Sequence, residues 1–219
     1  MSRPAVVIIG AGPGVSGSLA RLYADDGYDT GLVGTAREQL DALAAELEAR
    51  GVTAVPTVAD ITDDPAARAA VQRLGERFGR IDVLHFNPSA FREEDPLTLT
   101  VDHLLDDVRL GVGAFLTALQ AARPFMSAGG RVTATGSMAA DKPWHRAASL
   151  GVQKAGLRNL VRSIDATLEP DGIRAVSVTV RGSLADEGPF TRDRVAEALR
   201  AAARQDPAEW RTEIPYTGR

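Results

Sequence analysis

Cysteine is absent from the 219 residues, lysine occurs only at positions 142 and 154, and there are three tyrosines and three histidines. A chain without cysteine can form no disulfide and offers no thiolate ligand, and three scattered histidines leave little for a zinc site. We therefore expect no metal centre. The lack of cysteine is compatible with a reducing compartment, and we expect a cytoplasmic protein.

Long apolar runs and charge clusters are also missing. The N-terminal run "AVVIIG" is too short for the core of an export signal, and no stretch approaches the roughly 20 apolar residues of a membrane span. The net charge is -4, and arginines are spread over the chain, which argues against a nucleic-acid partner. With 44% hydrophobic and 25% charged residues, residues 1–219 are expected to form one soluble globular domain.

Apolar strand-like segments alternate with helix-like segments along the chain. The predicted strands cover 5–10, 29–34, 53–60, 81–87, 130–136 and 173–180, with a short closing strand within 209–216. Helices are predicted between the first two strands, ending near Gly27, and at 36–51, 64–79, 101–126, 147–168 and 191–204. Since parallel strands need crossover helices, this order predicts an α/β fold: a doubly wound parallel sheet in a three-layer αβα arrangement.

In such a sheet, ligands bind beyond the carboxyl ends of the strands. The first strand ends in "GAGPGVSG" (10–17), and glycines there let the backbone approach a pyrophosphate at the start of the next helix. The turn therefore predicts nucleotide binding, and an ordinary glycine turn is the alternative interpretation.

The second strand ends in Gly34, where an acidic residue would bind the ribose hydroxyls of NAD. Thr35 and Arg37 follow and would suit a 2′-phosphate, so NADP is favoured over NAD. Alternatively, Arg37 is an ordinary solvated helix residue.

Lys154 is unusual because it places a charged residue on an apolar helix face. It shares the apolar face of the predicted 147–168 helix with residues at three- and four-residue spacing: Leu150, Leu157, Val161, Ile164 and Leu168.

These motifs together resemble the short-chain dehydrogenase/reductase family, whose members have a Rossmann-like fold and mostly transfer hydride between NAD(P)(H) and a carbonyl or alcohol. Ile9, Gly10, Gly14 and Ser16 occupy the places of its T-G-x-x-x-G-x-G turn. "VADIT" (58–62) is similar to its D-V-T segment, which makes Asp60 the expected adenine contact. "FGRIDVLHFNPS" (78–89) is similar to F-G-x-I-D-V-L-V-N-N-A-G and keeps Asn87.

The resemblance implies a catalytic Ser, Tyr and Lys, with the tyrosine four residues before the lysine. Ser137 and Lys154 match, but Leu150 stands in place of the tyrosine. The family's structural asparagine is also unmatched, since Arg109 and Leu110 lie there. From turn, strand ends and resemblance together, the predicted cofactor contacts are Gly10, Gly12, Gly14, Ser16, Thr35, Arg37, Asp60, Asn87, Lys154 and Gly182.

A positioned acid or base contributes about 10²- to 10⁴-fold to a rate, and leucine supplies neither. His145, in the loop before the helix, is the candidate replacement; an exposed loop histidine is the alternative interpretation. Three hypotheses follow: an oxidoreductase with Ser137, Lys154 and a proton from His145 or water; a nucleotide-binding homologue without redox activity; and an isomerase or cyclase using the same pocket. The expected partner is a small-molecule substrate.

The resemblance further implies a homodimer or homotetramer, formed through the helices predicted at 101–126 and 147–168.

Overall fold

Seven strands form a single parallel sheet in the computed structural model, which describes residues 3–218. Along the sheet the order is β3-β2-β1-β4-β5-β6-β7. The strands are β1 (Ala5–Ile9), β2 (Asp29–Gly34), β3 (Ala54–Val58), β4 (Val83–Phe86), β5 (Arg131–Ser137), β6 (Arg174–Val180) and β7 (Glu213–Tyr216). The expected doubly wound α/β architecture is confirmed, and the strand order reverses between β1 and β4.

Helices cover both faces of this sheet. They are α1 (Val15–Asp25), α2 (Arg37–Glu48), α3 (Asp64–Phe78), α4 (Val101–Val108), α5 (Ala114–Ala122), α6 (Ala148–Leu168) and α7 (Arg192–Ala203). One apolar core packs α3, α5 and α6 against the sheet, and a second core lies on the opposite face with α1, α2 and α7. Strand β1 is buried along its whole length, as expected for a strand covered on both sides. None of the described helices is long and apolar enough to cross a bilayer.

Local sequence signals account for several helix boundaries. At the start of α3, Asp63 accepts a hydrogen bond from the Ala66 amide at 3.1 Å, which is the usual role of an N-terminal cap. Gly79 ends the same helix with a φ of 72°, a left-handed conformation that favours glycine.

The helix predicted over 101–126 is interrupted. A π-helical segment, Arg109–Gly113, separates α4 from α5, and a 3₁₀ turn covers Arg123–Phe125. Gly111 lies against α6 so closely that an added Cβ would come within 2.5 Å of the Gln153 side-chain oxygen. Periodicity continued through this segment, so the pattern did not reveal the irregularity.

Candidate active site

The glycine-rich turn after β1 is shaped by two close approaches. Gly10 has a φ of 77°, and a Cβ there would lie 2.7 Å from Cγ of Pro88. At Gly17, a Cβ would lie 2.4 Å from the Gly12 carbonyl oxygen. The close-packing glycine of this turn is therefore Gly17, one residue later than the place occupied by Ser16. The Ser16 hydroxyl instead accepts a hydrogen bond from the Gly12 amide at 3.1 Å.

Helix α1 begins at this turn without a side-chain cap. Gly14 is the N-terminal cap residue and makes no side-chain hydrogen bond, and a Cβ at Gly14 would meet no other atom within 4 Å. The first amide groups of a helix that lacks a capping side chain are available to an anion, and the helix dipole favours negative charge there. The turn therefore fits the pyrophosphate of a dinucleotide.

On one side of the turn lies a small cleft of about 210 Å³, whose walls include Gly10, Gly34, Thr35, Asp60 and Pro88. A Cβ at Gly34 would lie 2.8 Å from the Ala11 carbonyl oxygen. This close approach disfavours any side chain at position 34, a carboxylate included.

The polar groups near this cleft are exposed. Arg37 is solvent-exposed and its guanidinium lies 3.7 Å from the carboxylate of Asp41, while Thr35 is exposed beside it. Asp60 accepts hydrogen bonds from the Thr62 hydroxyl at 2.7 Å and the Thr62 amide at 2.9 Å, and these bonds lower the pKa of Asp60. Thr35 and Asp60, which follow different strands, both line this cleft.

On the other side of the turn is a larger cleft of about 380 Å³. It brings together four residues predicted from separate segments: Gly14, Asn87, Ser137 and Lys154. Gly182 also lies on its wall, and a Cβ at Gly182 would fall 2.4 Å from the ring of Phe190. Any larger residue at position 182 would therefore force the Phe190 ring to move.

Ser137 is the last residue of β5, and its hydroxyl oxygen accepts a hydrogen bond from the Ala139 amide at 3.2 Å. This bond fixes the oxygen and leaves the hydroxyl hydrogen free to donate. Ser137 is thus placed to donate a hydrogen bond to an oxygen bound in the cleft.

Lys154 is buried in α6 with 4% of its surface exposed. Its Nζ donates to the Thr135 carbonyl at 2.9 Å and to the Pro88 carbonyl at 3.4 Å. Burial lowers the pKa of Lys154 to about 8, because desolvation disfavours the charged form.

A chain of hydrogen bonds under the cleft holds Asn87. The Thr135 hydroxyl donates to the Asn87 side-chain oxygen at 2.9 Å and lies 3.4 Å from Nε2 of His85. Nδ1 of His85 lies 2.8 Å from the Thr133 hydroxyl. Burial, together with the nearby Lys154, lowers the pKa of His85 to about 3, so this imidazole is neutral. Thr133 and Thr135 were missed from sequence, although alternate polar residues within the apolar strand β5 were the available signal.

Leu150 lies on the cleft wall one turn before Lys154, where the family's tyrosine is expected. Within residues 3–218, no phenol or imidazole lines this cleft. His145 lies in an exposed 3₁₀ turn, His145–Ala147, and is not among the cleft residues. The structure does not bring it to Ser137 and Lys154, so its catalytic role stays a prediction without geometric support.

Gln153, next to Lys154, is another residue that the sequence did not reveal. It is fully buried, and its amide makes two 3.0 Å hydrogen bonds with the backbone of Ala90. Gly111 in the π-helical segment provides the space for it. The hydrogen bonds of Gln153 therefore connect α6 to the loop that follows β4, beside the position of the missing structural asparagine.

Asp107, on α4, makes a second connection between α6 and the loop that follows β4. It is buried on α4, accepts two hydrogen bonds from the Arg92 guanidinium, and accepts another from the Ser149 hydroxyl at 2.6 Å. Burial would raise the pKa of Asp107, but these donors hold it below its usual value. Helix α6 is thus anchored even though leucine stands at position 150.

The whole chain is similar to known proteins. A profile of the family described as short chain dehydrogenase matches residues 4–185. Oxidoreductase UcpA of Escherichia coli strain K12 is 30% identical over 215 residues, covering 95% of this chain and 77% of its own length. Cis-4-hydroxycyclohexanecarboxylate dehydrogenase of Sinomonas cyclohexanicum is 28% identical over 221 residues, with 88% and 86% covered.

Among solved structures, a short chain dehydrogenase from Burkholderia cenocepacia J2315 in complex with NADP aligns with a TM-score of 0.90 and 26% identity. The alignment covers 98% of this chain and 96% of that one. With the sheet order, the glycine-rich turn and the Ser137–Lys154 pair already described, these matches lead to one conclusion: the chain belongs to the short-chain dehydrogenase/reductase family.

Proposed function

We propose that this protein is an NADP(H)-dependent oxidoreductase that interconverts a carbonyl and an alcohol without a catalytic tyrosine. The observation that carries the proposal is the meeting of Ser137, Asn87 and Lys154 in one cleft beside the uncapped start of α1. The bound NADP of the Burkholderia cenocepacia relative supports the choice of cofactor.

Residues of this chain would bind different parts of the cofactor and the substrate. The amides at Gly14 and the start of α1 would hold the pyrophosphate, Thr35 and Arg37 the 2′-phosphate, and Asp60 the adenine. Lys154 would donate to the nicotinamide ribose, and the Ser137 hydroxyl to the substrate oxygen. The cofactor, when bound, supplies the hydride. Because Leu150 cannot exchange a proton, we propose that the proton comes from water rather than from His145, which does not line the cleft.

A titration with NADPH and NADH, followed by a panel of carbonyl compounds at saturating cofactor, tests the proposal. We expect tighter binding of NADPH and slow turnover of at least one carbonyl compound. Binding of neither nucleotide would contradict the proposal, and tighter binding of NADH would refute the role given to Thr35 and Arg37.

A second candidate function is a nucleotide-binding protein without redox activity. The specific observation in its favour is the apolar side chain of Leu150 at the position of the proton donor. It predicts NADPH binding without oxidation across the whole panel, and no effect of Ser137→Ala.

We also propose that the chain forms a homodimer or homotetramer through α4, α5 and α6. Exposed apolar side chains support this: Val101 is 70% exposed, Leu105 58% and Val152 51%. Light scattering is expected to give at least twice the chain mass, and Leu105→Glu is expected to shift the protein toward monomers. A monomeric wild type would exclude this part of the proposal.

A further inference from the structure

The Nζ atom of Lys154 has an unusual set of neighbours. Two main-chain carbonyls, of Thr135 and Pro88, accept its hydrogen bonds, and among the ion pairs of residues 3–218 none includes Lys154. A buried ammonium normally requires a counter-charge. The neutral amine needs none, since its two N–H groups match the two carbonyls and its lone pair remains.

Within the described residues 3–218, no acidic group compensates for this burial. On β4 the titratable neighbour is His85, which is itself neutral, and desolvation is the sole cause of the lowered Lys154 pKa of about 8. At pH 7, about a tenth of Lys154 is then in the amine form, against roughly 1 in 3,000 for a lysine of ordinary pKa.

The cleft beside the amine is open and partly apolar. Leu150, Val180 and Leu184 line it together with the Ser137 hydroxyl. With leucine in place of tyrosine at position 150, no phenol lies between the amine and a bound molecule within the described chain. Desolvation of a lysine in an apolar pocket is one way in which proteins activate it as a nucleophile.

We propose that Lys154 captures a small aldehyde or ketone as a Schiff base in this cleft. The Nζ atom forms a bond to the carbonyl carbon, two protons pass from nitrogen to the carbonyl oxygen, and that oxygen leaves as water while the C=N bond forms. The free Ser137 hydroxyl donates to the carbonyl oxygen during the addition. No oxidant or reductant takes part, so this activity is separate from hydride transfer and does not depend on nucleotide binding.

Reductive trapping tests the proposal on the wild-type protein without added nucleotide. The protein is incubated with propanal and sodium cyanoborohydride at pH 7, digested, and mapped by mass spectrometry for propylated amines. The chain offers an internal control, because its other lysine, Lys142, is exposed. Since the amine form is the nucleophile, we expect labelling at Lys154 to be at least about tenfold faster than at Lys142.

Two variants and a pH series complete the experiment. Lys142→Arg is expected to leave the rate at Lys154 unchanged, and Leu150→Tyr to lower it several-fold by placing a phenol beside the amine. The labelling rate at Lys154 should rise with pH and level off above about 8. Labelling of Lys154 no faster than that of Lys142 would overturn the proposal, and that result leaves the binding of NADPH, measured separately, unaffected.

Discussion

Two parts of this molecule have departed from the family pattern to different degrees. The nucleotide-facing part is the glycine-rich turn at 10–17 with the neighbouring segment 34–37, and the reaction-facing part is the cleft that contains Ser137, Leu150 and Lys154. In the first, the departure is a one-residue shift: Gly17 provides the close approach, and Ser16 bonds back to Gly12. In the second, the position of the proton donor holds Leu150, while the neighbouring Lys154 keeps a buried, hydrogen-bonded position.

The position of α6 and the chemistry of its side chains therefore depend on separate contacts. Gln153 and Asp107 anchor α6 to the loop after β4 and to α4, so loss of the phenol leaves the position of Lys154 intact. Function depends on the site and not on the fold, and substitutions in the two parts should therefore have separable effects.

The largest expected effect comes from restoring the phenol. Leu150→Tyr places a hydroxyl one turn from Lys154, whose positive charge would favour the ionised phenol. A positioned acid or base contributes about 10²- to 10⁴-fold, so we expect kcat/KM for a carbonyl substrate with NADPH to rise by at least about 10²-fold.

Leu150→Phe is the matched control, since it adds the ring without the hydroxyl. If the phenylalanine variant gains as much as the tyrosine variant, the gain comes from pocket shape and the proposed absence of a proton donor is wrong.

The second prediction concerns the pH dependence of stability in the reaction-facing part. Lys154 has a pKa of about 8 in the folded chain, against 10.5 for an ordinary lysine. Between these two pKa values the unfolded chain binds more protons than the folded chain, so the free energy of unfolding rises with pH. The total contribution of Lys154 is about 3 kcal/mol. This contribution is fully present above pH 10.5 and is lost as the pH falls through 8.

Urea unfolding of the wild type and Lys154→Met from pH 7 to 10.5 should show this as a changing difference in free energy of unfolding. Lys142→Met, at an exposed site, serves as the control. A constant difference between wild type and Lys154→Met would show that the buried lysine keeps its ordinary pKa.

Most of the fold was predictable because its strands and helices carry strong local patterns. The apolar run of β1 is a local signal, and so are Asp63 and Gly79 at the two ends of α3. Each is visible from a few neighbouring residues. The break at Arg109–Gly113 was not predictable, because it depends on Gly111 meeting Gln153, a residue 42 positions away.

The candidate site shows the same division. Ser137 and Lys154 were found because their spacing resembles a family pattern, and the cleft does bring them together. The carbonyls of Thr135 and Pro88 that accept from Lys154 were not found, since main-chain acceptors leave no residue signature. That His145 does not line the cleft was also not predictable, because a loop's direction depends on tertiary packing.

The third prediction compares two glycines in the nucleotide-facing turn. Gly17→Ala would place a Cβ 2.4 Å from a backbone oxygen, whereas Gly12→Ala would meet only the Gln39 side chain at 3.7 Å. We expect Gly17→Ala to lower the free energy of unfolding by at least about 2 kcal/mol and Gly12→Ala to change it by less than about 0.5 kcal/mol. Chemical denaturation measures both.

NADPH binding is expected to reveal an effect of the Gly12 substitution that the free energy of unfolding does not show. Glycines in this turn let the backbone approach a pyrophosphate, so the stable Gly12→Ala variant, changed at a predicted cofactor contact, is expected to bind NADPH several-fold more weakly. Unchanged NADPH affinity in Gly12→Ala would remove the turn from the proposed cofactor site.

The smallest expected effect is at Arg37. Its guanidinium is exposed and 3.7 Å from the Asp41 carboxylate, and an exposed pair of this kind contributes about 0–1 kcal/mol, so Arg37→Ala should leave stability nearly unchanged. Loss of a guanidinium contact to a 2′-phosphate should raise the Kd of NADPH about tenfold while the Kd of NADH stays constant. Arg73→Ala, at an exposed position on α3, is the control and should change neither. Equal weakening of both nucleotides in Arg37→Ala would mean that this residue does not discriminate between them, and that the cofactor preference of the nucleotide-facing part has another origin.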